Sequence, residues 1–182
     1  MKNRCIIFLL SIIISVMACG VFVGCQSVSA LSTHRQTEYL RIHIRADSND
    51  YAAQEVKYAV RDEIVAYLTP LVANYQTQNQ ALQGISSRLN EVERVANQTL
   101  AQHGYEYKAR AYVRREPFPT RVYEGITLPA GEYDALIIEL GKGEGDNWWC
   151  VVYPPLCFAA PSGVNVIYKS KILEIINRWK NG

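Results

Sequence analysis

Cys150 and Cys157 stand with six residues between them, Pro154-Pro155 among these and able to turn the chain. Outside the cytoplasm the default for such a pair is a disulfide. Closing so short a loop would stabilise the fold by roughly 2–3 kcal/mol in the chain-entropy picture. Two free buried thiols are the alternative, and a zinc site would need more ligands than two Cys and distant His supply. A sharper chemistry makes Cys150 a nucleophile with His43 as its base, the arrangement of a cysteine-dependent cell-wall hydrolase. That requires hydrogen-bond reach between them and a third group to orient the imidazole. Nothing in the sequence places His43 beside Cys150, so the plainer expectation is a half-exposed strand histidine. His103 ends a helix and His34 lies in a polar tether.

Gly141-Lys142-Gly143-Glu144-Gly145 has the glycine content of a phosphate loop. A phosphate loop needs a helix opening at its end, with free N–H groups facing the anion. Here Trp148 to Tyr153 follows, which reads as a strand, so a tight connection between strands is expected. Asp62-Glu63, Glu91/Glu93 and Glu132/Asp134 are carboxylate pairs of the kind found on solvated faces. No cofactor-binding or metal-ligand spacing stands out, and no cofactor is expected. Trp148-Trp149 is the most unusual dipeptide. Strand alternation sends the two indoles to opposite faces, leaving either one exposed as an interface anchor or both packed in the core.

The elements that must position these residues begin after a leader. Residues 1–30 contain Lys2 and Arg4, no acid, and no charge at all from Cys5 to Cys25. Such a run can thread a translocon or just span a bilayer. Val28-Ser29-Ala30 favours cleavage near Ala30; an uncleaved anchor or lipidation at Cys19 or Cys25 are the alternatives. In each case the rest lies outside the cytoplasm, as the positive N-terminus requires. The leader carries the whole net charge of +2, leaving 17 basic and 17 acidic residues to balance in 31–182. That neutrality excludes a nucleic-acid binder working by counterion release. All 12 tyrosines also fall after the leader, which suits a contact surface.

Residues 31–38 read as a tether and 39–182 as one exported domain, a size suited to a single core. Leu40, Ile42, Ile44 and Ala46 alternate with Arg41, His43 and Arg45, the pattern of a strand with one buried face. Asp47-Ser48-Asn49-Asp50 supplies acceptors for the opening N–H groups of a helix. The stripe Val56, Val60, Ile64, Leu68, Leu71 continues that helix to a stop near Pro70. Leu82, Ile85, Leu89, Val92, Ala96 and Leu100 predict a second helix over 79–103, folded back as a hairpin and ended by Gly104. Asn97-Gln98-Thr99 is a glycosylation pattern poorly placed in mid-helix. From Tyr105 the period becomes two, with strands to about Arg114, over 120–123 beside Pro117 and Pro119, and over 132–140 and 148–153. Ser162-Gly163 marks a loop before a last helix over 169–179. The order gives an α+β fold, a mostly antiparallel sheet with a helical hairpin and a C-terminal helix packed on one face.

Two blocks resemble the stage II sporulation protein R family. The first is Leu40-Arg41-Ile42-His43-Ile44-Arg45-Ala46-Asp47-Ser48, followed by Gln54, Lys57 and Val60-Arg61-Asp62. The second runs from Phe118-Pro119-Thr120-Arg121-Val122-Tyr123 through Pro129 to Leu136 and Gly141 to Gly145, ending on Asn147-Trp148-Trp149-Cys150-Val151-Val152 and Pro154-Pro155-Leu156-Cys157-Phe158. The similarity covers about Leu40 to Phe158. It implies a non-enzymatic signalling protein of endospore formation, made in the forespore and exported into the intermembrane space. Its implied partner is the outer face of a membrane-embedded aspartic protease that processes the precursor of an early mother-cell sigma factor. If the leader stays uncleaved, it also holds the protein to the forespore membrane. The family offers no catalytic residue to carry over. His43, Arg121, Tyr123, Asn147, Trp148 and Trp149 are the partner-binding candidates, with Cys150 and Cys157 as the candidate disulfide.

Overall fold

The computed structural model describes residues 38–123, 126–158 and the helix 166–181. The leader, most of the tether and the Ser162-Gly163 loop lie outside the described residues. Strand β1 (Leu40–Arg45) leads into helix α1 (Tyr51–Val72), then α2 (Gln78–Ser86) and α3 (Leu89–Gln102). Strands β2 (Ala109–Phe118), β3 (Arg121–Tyr123), β4 (Ile126–Leu128), β5 (Gly131–Leu140) and β6 (Asn147–Tyr153) follow, and α4 (Val166–Asn181) closes the described chain. The main sheet has the order β2-β5-β1-β6, and β3-β4 form a separate two-stranded sheet. β1 runs parallel to β5; β6 is antiparallel to β1, and β2 to β5. The fold is therefore α+β, as expected.

β1 departs from its sequence pattern in an informative way. Arg41 and His43, on the face expected to meet solvent, are 0% exposed. Strands flank β1 on both sides, so neither of its faces lies near a sheet edge. Leu40, Ile42 and Ile44 join the core with Val56, Val60, Ile64 and Leu68 of α1 and Val92, Ala96 and Leu100 of α3. The opposite face has its own cover of aromatic side chains.

The second helix is two helices. Ser87 and Arg88 break the continuous stripe, and both side chains bond the Gly84 carbonyl. Serine side chains compete in this way with the helical ladder. Gly84 itself lies against the Tyr75 ring, where a Cβ would clash. α1 continues to Val72, two residues past Pro70.

Pro117 lies inside β2 instead of bounding it. β2 is an edge strand, the one place in a sheet where proline is tolerated. Further along that edge, Asn97 Oδ1 accepts from Ala109 N–H and Glu93 Oε1 from Ala111 N–H, both at 2.8 Å. Two side chains of α3 thus cover part of an edge that would otherwise offer free donors. Asn97 is committed to this contact.

Asp47 to Asn49 do not cap α1 with their side chains, and its N-cap Asp50 makes no side-chain cap bond. Asp47 Oδ1 accepts instead from Lys142 N–H at 2.7 Å, and Asn49 Oδ1 from Asp146 N–H at 2.6 Å. The β5–β6 connection must pass over the end of β1 to reach its far side, so these polar groups meet it there. Gly145 N–H donates to the Ala46 carbonyl, and a Cβ on Gly145 would strike the Ser48 carbonyl. Buried Lys57 anchors the same loop through the Asp146 carbonyl at 3.0 Å. The glycine loop is a crossover between strands, as its sequence context predicts.

Candidate functional site

Strand registry decides which side chains share a face. His43 is opposite Ile137 and Trp149, Arg41 opposite Ala135 and Val151, and Arg45 opposite Glu139 and Asn147. β2 adds Arg110, Tyr112, Arg114, Glu116 and Phe118 to this face through its pairing with β5. Facing strand partners project to the same side, so a polar and aromatic cluster forms away from the aliphatic core of Ile42, Ile44, Val56 and Val60.

At its centre the His43 ring stacks on Trp149, with centroids 4.9 Å apart and planes at 6°. Phe118 meets both rings edge-on, at 5.4 Å from His43 and 4.8 Å from Trp149. His43 Nε2 lies 2.9 Å from Glu116 Oε2 but out of line for a hydrogen bond. Burial pushes the His43 pKa down to about 4, outweighing the pull of the Glu116 carboxylate. Nearby Arg45 adds to that depression. The imidazole is therefore neutral at physiological pH. Glu116 is held by Arg45 Nη2 at 3.0 Å and by Arg114, and Arg45 Nη1 also reaches Glu139 at 2.8 Å. Burial and the Glu139 carboxylate push the Tyr112 phenol up to about 12.

Arg41 occupies an aromatic cage at the other end of the cluster. Its Cζ lies 4.2 Å from the Phe118 ring centroid, 4.8 Å from Tyr133 and 5.7 Å from Tyr123. Nη2 donates to Tyr123 Oη at 2.9 Å, while Nε and Nη1 find no acceptor. Burial lowers its pKa, although the Tyr123 and Tyr133 phenols oppose the shift. No carboxylate among the described residues pairs with it. Aromatic faces supply part of what a carboxylate would.

The structure brings five of the six partner-binding candidates together. His43, Trp149, Asn147 and Tyr123 lie on this face, and Arg121 sits with its Cζ 5.9 Å from the Trp149 ring. Trp148 points to the other side, 5.9 Å from Arg61 Cζ. Neither indole is exposed; both are half-buried. Neither alternative, one indole exposed or both in the core, is met in full: each ring packs against the core with one part left open. His43 is likewise a buried residue, not a half-exposed one.

Cys150 and Cys157 are bonded to each other, with Cα atoms 6.2 Å apart. Cys150 faces Ile42 in the ladder, so it projects away from His43. The nucleophile–base pair therefore does not form: its sulfur is in a disulfide and its partner lies across the sheet. Among the described residues no group of three or more His, Cys, Asp and Glu side chains could hold a metal ion.

Sequence reasoning missed Arg41, Glu116, Phe118 and Tyr133 as members of the cluster. Arg41 did carry a signal, since a charge in a strand that a sheet can cover on both faces invites a search for its partner. That partner, Tyr123, is 82 residues away and belongs to the separate β3-β4 sheet.

The model of the stage II sporulation protein R family matches residues 36–162, which contain the whole cluster. The chain belongs to that family. It is 36% identical over 119 residues to the stage II sporulation protein R of Bacillus subtilis strain 168, covering 65% of this chain and 53% of that protein. The chain thus spans about half the length of the curated relative it matches. No solved structure matches. The family's span ends at residue 162, so α4 lies outside it, whereas β1 to β6 and the disulfide lie within. Among the described residues no helix is long and apolar enough to cross a membrane.

Proposed function

We propose that this family member is an exported, non-catalytic signal of endospore formation that activates a membrane-embedded aspartic protease from its outer face. The protease then processes the precursor of an early mother-cell sigma factor. Membership of the stage II sporulation protein R family is the observation that carries this reading. The geometry supports a binding role: stacked rings and bridged charges form one cluster, and the Cys150 sulfur and the His43 imidazole lie on opposite sides of the sheet. Activation then requires that the domain bind the active protease more tightly than the inactive form.

The test is co-expression of the full chain with the protease and its precursor substrate, with precursor cleavage as the readout. Cleavage should depend on the chain. It should be lost in Trp149→Ala while export of the variant continues. A protease that cleaves equally well without the chain would end the proposal.

A further inference from the structure

We propose that the face carrying His43 and Trp149 binds an acidic segment of the receptor, whose Asp and Glu carboxylates pair with Arg110 and Arg121. The inference rests on the activator reading above and adds the chemistry of the partner. Registry and ring contacts assign Arg41, Arg45, Arg110, Arg114 and Arg121 to this face, against Glu116 and Glu139. That is an excess of three positive charges among the described residues, on a chain whose exported part has 17 basic and 17 acidic residues. The asymmetry is local, so a neutral domain presents one basic side.

Arg41 deepens that potential without touching solvent. It is fully buried, two of its donors lack acceptors, and no carboxylate neutralises it among the described residues. A charge in a low-dielectric interior is weakly screened, and its field reaches the surface above it. Arg110 and Arg121 are exposed and have no ion pair among the described residues, which leaves their guanidinium groups available.

A protein segment fits this face better than an anionic lipid surface. All five cations are arginines, whose planar forks match carboxylates in two-point contacts. Glu116 and Glu139 are interspersed among them, a mixed pattern that specifies a partner's own charge arrangement. A uniformly negative membrane plane would meet those carboxylates with repulsion.

The experiment again uses the full chain co-expressed with the protease and precursor, now with the double variant Arg110→Glu/Arg121→Glu. Both positions are exposed, and unchanged circular dichroism of the purified variant checks its fold. Cleavage should fall about tenfold or more, while Arg94→Glu on the exposed side of α3 leaves it unchanged. Arg110→Lys/Arg121→Lys should recover part of the loss. Binding to the protease in zwitterionic bilayers should weaken with salt in the wild type and lose most of that dependence in the double Glu variant. Wild-type cleavage by the folded double Glu variant would overturn the acidic-segment inference and leave the activator reading standing. Loss of binding to protease-free anionic vesicles, with protease binding retained, would assign the face to lipid and also overturn it. If the wild type itself drives no cleavage, the activator reading is what fails.

Discussion

The two sides of β1 solve the same packing problem with different chemistry. One side, Leu40, Ile42 and Ile44, is buried among aliphatic residues of α1 and α3 and has no polar group to satisfy. The other, Arg41, His43 and Arg45, is buried or nearly so beneath rings and ion pairs, with ring nitrogens and guanidinium donors left unbonded. The first side obtains stability from area removed from water. On the second, desolvation of charge works against stability, and unsatisfied donors add to the cost. A protein that needed only a core would have repeated the first side. The proposed recognition of a receptor would account for keeping the polar side.

Paired substitutions separate these roles. Ile42→Ala should destabilise the domain by about 3–4 kcal/mol, through lost apolar transfer and a cavity. Arg41→Met, one position away, should change stability by less than about 1 kcal/mol, because it removes a buried charge that has no carboxylate partner. It should nevertheless reduce precursor cleavage. Denaturant midpoints of the two purified variants, set beside their cleavage assays, give the contrast directly. If both positions cost the same stability, the two sides do not differ in kind.

The histidine gives a pH signature that the aliphatic side lacks. The folded pKa of His43 is depressed from 6.5 to about 4, so the unfolded chain binds the proton more readily. Its contribution is full above pH 6.5, falls as the pH drops through 6.5 to 4, and levels off below. Between pH 7 and 4 the loss should be about 3 kcal/mol. Urea unfolding of wild type and His43→Leu at both pH values measures it; the variant should lack this part of the acid sensitivity.

Reduction of the disulfide should cost roughly 2–3 kcal/mol, since only a short loop is released. Thermal melts with and without a thiol reductant report the effect, and cleavage at temperatures well below the transition should persist. A cysteine nucleophile would instead give a variant, Cys150→Ser, that is inactive while still stably folded. The smallest effect belongs to Trp148→Ala. Half-buried on the aliphatic side, Trp148 should contribute about 1–2 kcal/mol of packing, and the variant should still support cleavage when the amount of folded protein is matched. Abolished cleavage at matched levels would place the contact surface on both sides of β6.

Much of the fold was legible because it depends on local periodicity. The alternation in β1, the stripe of α1 and the strand over 148–153 each appear in the chain order. The break at Ser87-Arg88 was less legible, since the apolar stripe runs through it and the side-chain bonds to Gly84 are seen only in three dimensions. The destination of Asp47 and Asn49 was hidden for a related reason. Their acceptors suit a helix start equally well, but the β5–β6 crossover brings competing N–H groups within 2.7 Å and 2.6 Å.

The sequence alone determined the element types, the membership of Cys150 and Cys157 in one short loop, and a family likeness carried by two blocks. Tertiary structure decided what those blocks build. Side-chain alternation specifies two faces for a strand but not which strands flank it, and only neighbours decide whether a polar face meets water. Once β1 lies between β5 and β6, His43 comes under Trp149, Arg41 comes under Phe118 and Tyr123, and Cys150 is turned to the opposite side.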